Sequence, residues 1–442
     1  MSKAPSSALA KSPLIWALEC VRLPGPEGPK PFMPYPYQAS FLADRSPRIV
    51  TLKARQTGCT TAAAIKVAHE SIFQPRSLSL IISRDQAAAQ NVIRVVTEIM
   101  DELDDPPVRV RESMSEIALD NGSRIVSQPA TAKAGRGFAA TSVTLDEAAF
   151  MEHDERIYRA VSPTLSRGGR LTVISTPAGM DNLFYRLWQG QEGGEWSRHR
   201  VHWKDCPAFD GEWEERERPR YTHDQWASEF ECDFVESGGA AFDSADVEAM
   251  RGGWTGLEGP QAGRRYVTGV DVGRRKDPTV IVTVDVSELP WQVVYYKRML
   301  KAPYAQTQAA IDEAAALYGG TVLVESNSIG DPILESLTCG ARPFVTTAKS
   351  KADMLTKLVR LVENGELKCG QEQVLSELHS YQWADQNIVQ DSVMALAIAL
   401  ARVRIWNSDL APGESLLSRE EKEDAGIDRD APIMAGVFER SF

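Results

Sequence analysis

Short apolar runs alternate with longer stretches of helical spacing through the first half of the chain. RIVTLK (48–53), SLSLIIS (77–83), SRIVSQ (123–128), TSVTLDE (141–147) and RLTVIST (170–176) are brief and rich in β-branched residues, as strands buried on both faces are. TTAAAIKVAHESIF (60–73) follows the first run and reads as a helix. After the second run, Val92, Val95, Val96, Ile99, Met100 and Leu103 fall on one helical face. This order predicts a parallel α/β sheet whose loops gather at the carboxyl ends of the strands.

From about residue 236 the texture changes. ESGGAAFDSADVEAMRGGWTGLEGPQAG is rich in glycine and small residues and predicts an interdomain linker, set at 241–263. Three strands follow, RRYVTGVDV, TVIVTVDV and WQVVYYKRM, with turn residues between them. Then come a helix (304–318), a strand (321–325), a helix, a strand near Phe344, a helix from Lys351 and a last helix from Asp391. Three antiparallel strands leading into alternating helices and strands is the ordering of a ribonuclease H-like fold.

With 442 residues the chain fits two domains. Its net charge of −12 argues against passive coating of nucleic acid, while leaving room for a local basic groove; the tail from Asp409 holds part of the acidic excess. There is no apolar run of about 18 residues, so no membrane span is expected. The brief apolar stretch near the N-terminus, closed by Glu19, does not read as a secretory signal. Six scattered cysteines without a C-x-x-C pair suggest a reducing cytoplasm and no zinc site. The six histidines lack metal-ligand spacing.

KARQTGCTT (53–61) lies between a strand and a helix, where backbone N–H groups and the helix dipole favour phosphate. It is an imperfect P-loop. Gly58 and Thr60 are in register, but Lys53 replaces the first glycine and Cys59 occupies the lysine position. The expected nucleotide contacts are Lys53, Arg55, Gln56, Thr57, Gly58, Cys59, Thr60 and Thr61, with the charge coming from Lys53 or Arg55 and the Mg²⁺ hydroxyl from Thr60. Asp146 ends an apolar strand as a Walker B metal ligand would (142–147), and Glu147 beside it could polarise the attacking water. Ser175 and Thr176 in the segment 175–177 could sense the γ-phosphate. Gln38, between Tyr35 and Tyr37, is a candidate reader of the adenine edge; a surface aromatic loop is the alternative. Arg136, flanked by glycines, could reach a phosphate as an arginine finger.

A second acidic set is spread over the far half. Asp271 lies in the first of the later strands, Glu325 ends the fourth, and Asp391 opens the last helix. A ribonuclease H-like arrangement would bring these three together, as two-metal phosphodiester hydrolysis requires. The all-oxygen donor set favours Mg²⁺ or Mn²⁺. Asp277 is either a further ligand or a turn former before Pro278. Arg274, Arg275 and Lys276 could hold a DNA backbone, and the aromatic segment 195–205 either contacts DNA or forms an amphipathic strand.

In order, KARQTGCTT, LIISRDQAAAQ, VTLDEAAF, VISTP, GVDVGRRKDPT, VLVESNSIGDP and QDSVMALAIA resemble the large terminase subunits of tailed bacteriophages over residues 34–401. The resemblance implies an α/β chain with a P-loop ASCE-type ATPase domain (1–240), a ribonuclease H-like nuclease domain (264–408) and an acidic tail (409–442). It implies ATP as substrate, and double-stranded DNA, a portal protein and a small terminase subunit as partners. It also implies a homo-oligomeric ring that assembles on the procapsid in the host cytoplasm. Cys59 departs from the family pattern. The alternative expectation is a translocase or helicase with an inactive nuclease-like domain.

Overall fold

β1 (Arg48–Lys53) is buried along nearly its whole length, so its β-branched residues pack on both faces of a sheet. The computed structural model describes residues 7–25, 28–166, 168–235, 239–253, 259–273, 277–326, 330–383 and 390–403. The chain divides into two compact units, the change falling at residue 238, with Pro219–His223 belonging to the second.

The first unit is built on eight strands. After β1 come β2 (Leu78–Ser83), β3 (Arg109–Ser113), β4 (Glu116–Leu119), β5 (Arg124–Pro129), β6 (Ser142–Asp146), β7 (Arg170–Ser175) and β8 (Ser197–Val201). Their order is β8-β1-β7-β6-β2-β5-β4-β3. The first six in that row run parallel, and β4 and β3 add an antiparallel edge. β7 therefore separates the strand that ends in Lys53 from the strand that ends in Asp146, the ASCE order. The edge pair has no counterpart in the sequence reading because β3 (RVRES) is exposed nearly throughout and carries no buried stripe.

Two helices cover the sheet. α1 (Cys59–Phe73) buries Ala62, Ala63, Ala64, Ile65, Val67 and Ala68, and these small side chains let it lie close to the strands. α2 (Gln86–Asp101) buries Val92, Ile93, Val96, Ile99 and Met100 and is capped by Asp85, whose carboxylate accepts the Ala88 N–H at 2.8 Å. The segment 195–205 forms edge strand β8 and its exit, with Trp196 and Trp203 buried; the Trp203 and Trp226 indoles both donate to Glu231. An amphipathic strand is the reading that fits.

In the second unit, α3 (Ser244–Met250) falls inside the expected linker. Ala241, Phe242, Val247 and Met250 belong to the core of this unit, and Asp243 caps α3 by accepting the Ala245 N–H at 2.7 Å. The small residues there serve close packing of a short helix, so the linker expectation does not hold for residues 241–250.

The second sheet contains β9 (Tyr266–Asp271), β10 (Pro278–Asp285), β11 (Trp291–Leu300), β12 (Thr321–Glu325), β13 (Arg342–Phe344) and β14 (Leu367–Lys368), in the order β13-β12-β9-β10-β11-β14. β9, β10 and β11 pair antiparallel, and β12 returns parallel to β9 after the helix α4 (Tyr304–Tyr318). α5 (Ala348–Glu363) and α6 (Glu372–Ser380) precede α7 (Asp391–Ala401), which buries every residue from Ser392 to Leu400. A helix apolar on all sides belongs inside a core. Gly269 on β9 permits the approach: a Cβ there would stand 2.2 Å from the Ala395 carbonyl oxygen and 2.3 Å from the Ala399 nitrogen. At the far end of α7, Lys357 from α5 donates to the carbonyls of Leu400, Ala401 and Val403. Arg274, Arg275, Lys276 and the tail 409–442 lie outside the described residues.

Candidate functional site

Two acidic sites stand at the carboxyl ends of the two sheets. In the first, β1 delivers Lys53 to a buried position, and the chain then turns through residues 54–58 into α1. Gln56 (φ 59°) and Gly58 (φ 70°) both take left-handed backbone. Gly58 is required twice over, since a Cβ there would also meet the Gln38 amide nitrogen at 2.7 Å. Thr57 closes the loop by donating to the Ala54 carbonyl at 3.0 Å, and Cys59 begins α1. Burial pushes the Cys59 thiol up to about 11, so a neutral group stands where a P-loop lysine is expected.

A buried cation, Lys53, stands beside the loop. Its Nζ lies 3.0 Å from Glu147 Oε1, with 6% of the lysine side chain and 24% of the glutamate side chain exposed. Burial opposes the ammonium, but Glu147 and then Asp146 outweigh it and hold Lys53 above its usual value. Asp146 is fully enclosed and rises to about 6, through burial first and then the charge of Glu147. Thr60 donates to Asp146 at 3.3 Å. Glu147 itself is left-handed (φ 56°, ψ 46°), a conformation that costs a non-glycine residue about 1–2 kcal/mol and aims its carboxylate back at Lys53.

Arg55 is more than half exposed and is tied to Glu229, its N–H donating to the Glu229 carbonyl at 2.7 Å and its guanidinium lying 3.6 Å from the carboxylate. Thr61 follows on α1, half-buried. Arg136 is exposed, between Gly135 and Gly137, both at positive φ.

Two further candidates are engaged within the protein. Gln38 is buried; its amide donates to the Thr57 and Gly58 carbonyls at 3.4 and 3.3 Å, and its oxygen accepts the Tyr35 N–H at 3.0 Å. Tyr37 donates to the Thr57 carbonyl at 2.8 Å. Both residues brace the loop, so the amide expected to read adenine is already engaged. Ser175 is wholly buried and accepts the Ala149 N–H at 3.1 Å, which connects the end of β7 to the turn after Glu147. Ser83, missed in the sequence, sits beside Asp146 in strand register with a buried hydroxyl that has no partner among the described residues. Neighbouring Arg84 acts on Asp146 electrostatically.

In the second site Asp271 and Glu325 end adjacent parallel strands, β9 and β12, one step beyond the Val270–Val324 pair. Their carboxyl groups lie within hydrogen-bonding reach of one another. Burial, then Glu325, then Asp391 and Asp277 drive the Asp271 carboxyl well above its ordinary range. Asp391, the first residue of α7, is raised by burial and by Glu377. Asp277 precedes β10 and its charge reaches both Asp271 and Asp391. Glu377, also missed, is 3% exposed and accepts from Ser392. No sequence signal marks it, since it lies on the inner face of an ordinary amphipathic helix.

Partly buried carboxyl groups crowded together, offering oxygen as donor atom, fit a hard divalent cation. Among the described residues, no three His, Cys, Asp or Glu side chains form a ready-made cage. No helix among the described residues is long and apolar enough to cross a membrane.

Residues 50–249 match the family described as "Terminase large subunit, T4likevirus-type, N-terminal". The chain is 24% identical over 429 residues to the large terminase subunit of Thermus virus P23-45, covering 84% of this chain and 88% of that one; the Thermus phage G20c subunit gives the same figures. Among solved structures, the large terminase of a thermophilic bacteriophage superposes with a TM-score of 0.58 at 13% identity, covering 83% of this chain and 98% of that one. Its complex with ADP gives 0.57 at 12%, covering 84% and 100%.

Proposed function

We propose that this chain, which belongs to the large terminase family of phages, hydrolyses ATP in its first unit to drive double-stranded DNA into a procapsid. The second unit is then a divalent-metal-dependent endonuclease that cuts concatemers. The observation that carries the reading is the presence, in one chain, of two acidic sites at sheet ends, one in which a buried lysine pairs with Glu147 and one in which Asp271 is crowded by Glu325, Asp391 and Asp277.

In the first site the N–H groups of residues 56–60 and Lys53 would receive the phosphates of ATP. A phosphate arriving there competes with Glu147 for the Lys53 ammonium, and the freed carboxylate can then take a proton from the attacking water. Thr60 and Asp146 would hold Mg²⁺, which when bound neutralises phosphate charge. Arg55 is the second cation of the loop, released if Glu229 lets go. Arg136, exposed on its glycine turn, would act on the nucleotide of a neighbouring subunit in a homo-oligomeric ring. Gln38 and Tyr37 keep the loop in shape, and Ser175 relays changes at Glu147 toward β7.

In the second site Asp271, Glu325 and Asp391 would hold Mg²⁺ or Mn²⁺, which when bound supplies charge stabilisation at the phosphodiester. Asp277 is a candidate further ligand. The proposed partners are a portal protein and a small terminase subunit, and the setting is the host cytoplasm. A second reading, a translocase or helicase that does not cut, draws on the lack of a preformed three-residue cage among the described residues.

The test is ATP turnover with and without DNA and empty procapsids, beside incubation of supercoiled plasmid with Mg²⁺ or Mn²⁺. Turnover with nicked or linear plasmid is expected. Turnover with plasmid that stays supercoiled selects the second reading, and no turnover under any condition overturns both.

A further inference from the structure

The start of α7 is held by a residue from another helix. Gln390 precedes the helix without a side-chain cap of its own, so the first N–H groups need an outside acceptor. Glu377 of α6 supplies it: one carboxylate oxygen accepts the Ser392 N–H at 2.7 Å, and the other accepts the Ser392 hydroxyl at 2.8 Å and the Gln373 amide at 2.9 Å. The Ser392 hydrogen is committed to Glu377, so the Tyr296 hydroxyl, 3.0 Å from Ser392 Oγ, must donate. The result is a directed relay, Tyr296 to Ser392 to Glu377, in which the buried carboxylate has donors on both oxygens.

A buried glutamate is a costly way to cap a helix when a serine or asparagine at the cap would serve. Its location gives it a second use. The residue it grips is the immediate neighbour of Asp391, and among surrounding charges Glu377 acts most strongly on Asp391. We propose that Glu377 is a positioning residue of the second site: by gripping Ser392 it fixes the first turn of α7 that carries Asp391, and its charge strengthens divalent-cation binding there. This inference rests on the reading of Asp271, Glu325 and Asp391 as metal ligands.

Glu377→Gln separates the two uses, because an amide oxygen still accepts the Ser392 N–H while the charge is gone. The readout is calorimetric titration of the full chain with Mn²⁺ in the absence of nucleotide, the second site being identified as the binding lost in Asp271→Asn. Glu377→Gln is expected to weaken that binding about tenfold, as loss of a partner behind a metal ligand commonly does. ATP turnover should be unchanged and the melting temperature of the second unit close to that of the unsubstituted chain. Ser392→Ala, which removes one donor and keeps the N–H, should weaken it in the same direction but less, and serves if the glutamine variant does not fold. Unchanged Mn²⁺ affinity in a folded Glu377→Gln or Ser392→Ala chain would overturn the positioning role and leave a plain cap. If the unsubstituted chain shows no binding that depends on Asp271, the metal-site reading fails, and this inference fails with it.

Discussion

The two acidic sites have the same ingredients, carboxylates buried at the carboxyl ends of a sheet, yet they are balanced in opposite ways. In the first, Lys53 lies within an ion-pair distance of Glu147 and answers the charge of both acids. In the second, the strongest charges acting on Asp271 are all acidic. A site with its own cation can hold its shape while empty and admit a ligand that competes for that cation. A site made of mutually repelling acids is stabilised by whatever positive charge enters it. The comparison therefore separates an acidic site with a lysine countercharge from one in which the strongest neighbouring charges on Asp271 are acidic.

The strongest way to break this comparison is to remove one acid from each side. Glu147→Ala is expected to lower ATP turnover by at least about a hundredfold and leave metal-dependent plasmid nicking intact; Asp271→Ala should do the reverse. Loss of both activities in either folded variant would show that the sites are not independent. Next in size is Lys53→Ala, which strands Glu147 and Asp146 without their cation. Breaking a buried pair from one side costs roughly 3 kcal/mol, to be read as a fall in the denaturant midpoint of the first unit, and turnover should be lost as well. Gly269→Ala would press a methyl group into the α7 backbone, with an expected cost of about 1–3 kcal/mol and slower nicking because Asp391 moves with the helix.

The smallest effect is also the sharpest test. Folding raises the Asp271 pKa, so at pH above about 4 the native chain binds more protons than the unfolded one, and stability must fall as pH rises toward the folded value. In metal-free buffer, Asp271→Asn is expected to flatten that slope and to be more stable than the unsubstituted chain at neutral pH, by on the order of 1 kcal/mol. Mg²⁺ should stabilise the unsubstituted chain and not the variant. The first site behaves differently. Asp146 contributes a falling slope that ends near pH 6, while the raised Lys53 keeps its full contribution through neutral pH and loses it only as pH climbs above the ordinary lysine range. A variant that is destabilised at neutral pH would mean that Asp271 is satisfied by a partner other than a metal or proton.

Much of this was readable from the chain because the chemistry sits where periodic patterns end. Asp146, Asp271 and Glu325 each close a β-branched run, and Asp391 opens an apolar helix, so strand and helix ends locate them directly. What sequence could not supply was partnership. Gln38, a candidate reader of a base, has its amide on the loop carbonyls, a contact across 19 and 20 residues that the sequence does not announce. Ser175 has the composition of a phosphate sensor, yet its hydroxyl takes the Ala149 N–H. Glu377 occupies a helix position that any amphipathic pattern would tolerate. The stretch 241–250 misled for a related reason: small residues are common to flexible tethers and to tightly packed short helices, and only the burial of Val247 and Met250 distinguishes them.

Lys357 bears on where this chain could be shortened. Its ammonium, pulled down to about 8 by burial, is accepted by the carbonyls of Leu400, Ala401 and Val403. A chain stopping just past Val403 would retain all three acceptors, whereas one stopping before Leu400 would leave a desolvated cation with none of them. The boundary of a minimal second unit is thus set by a lysine more than forty residues upstream of it.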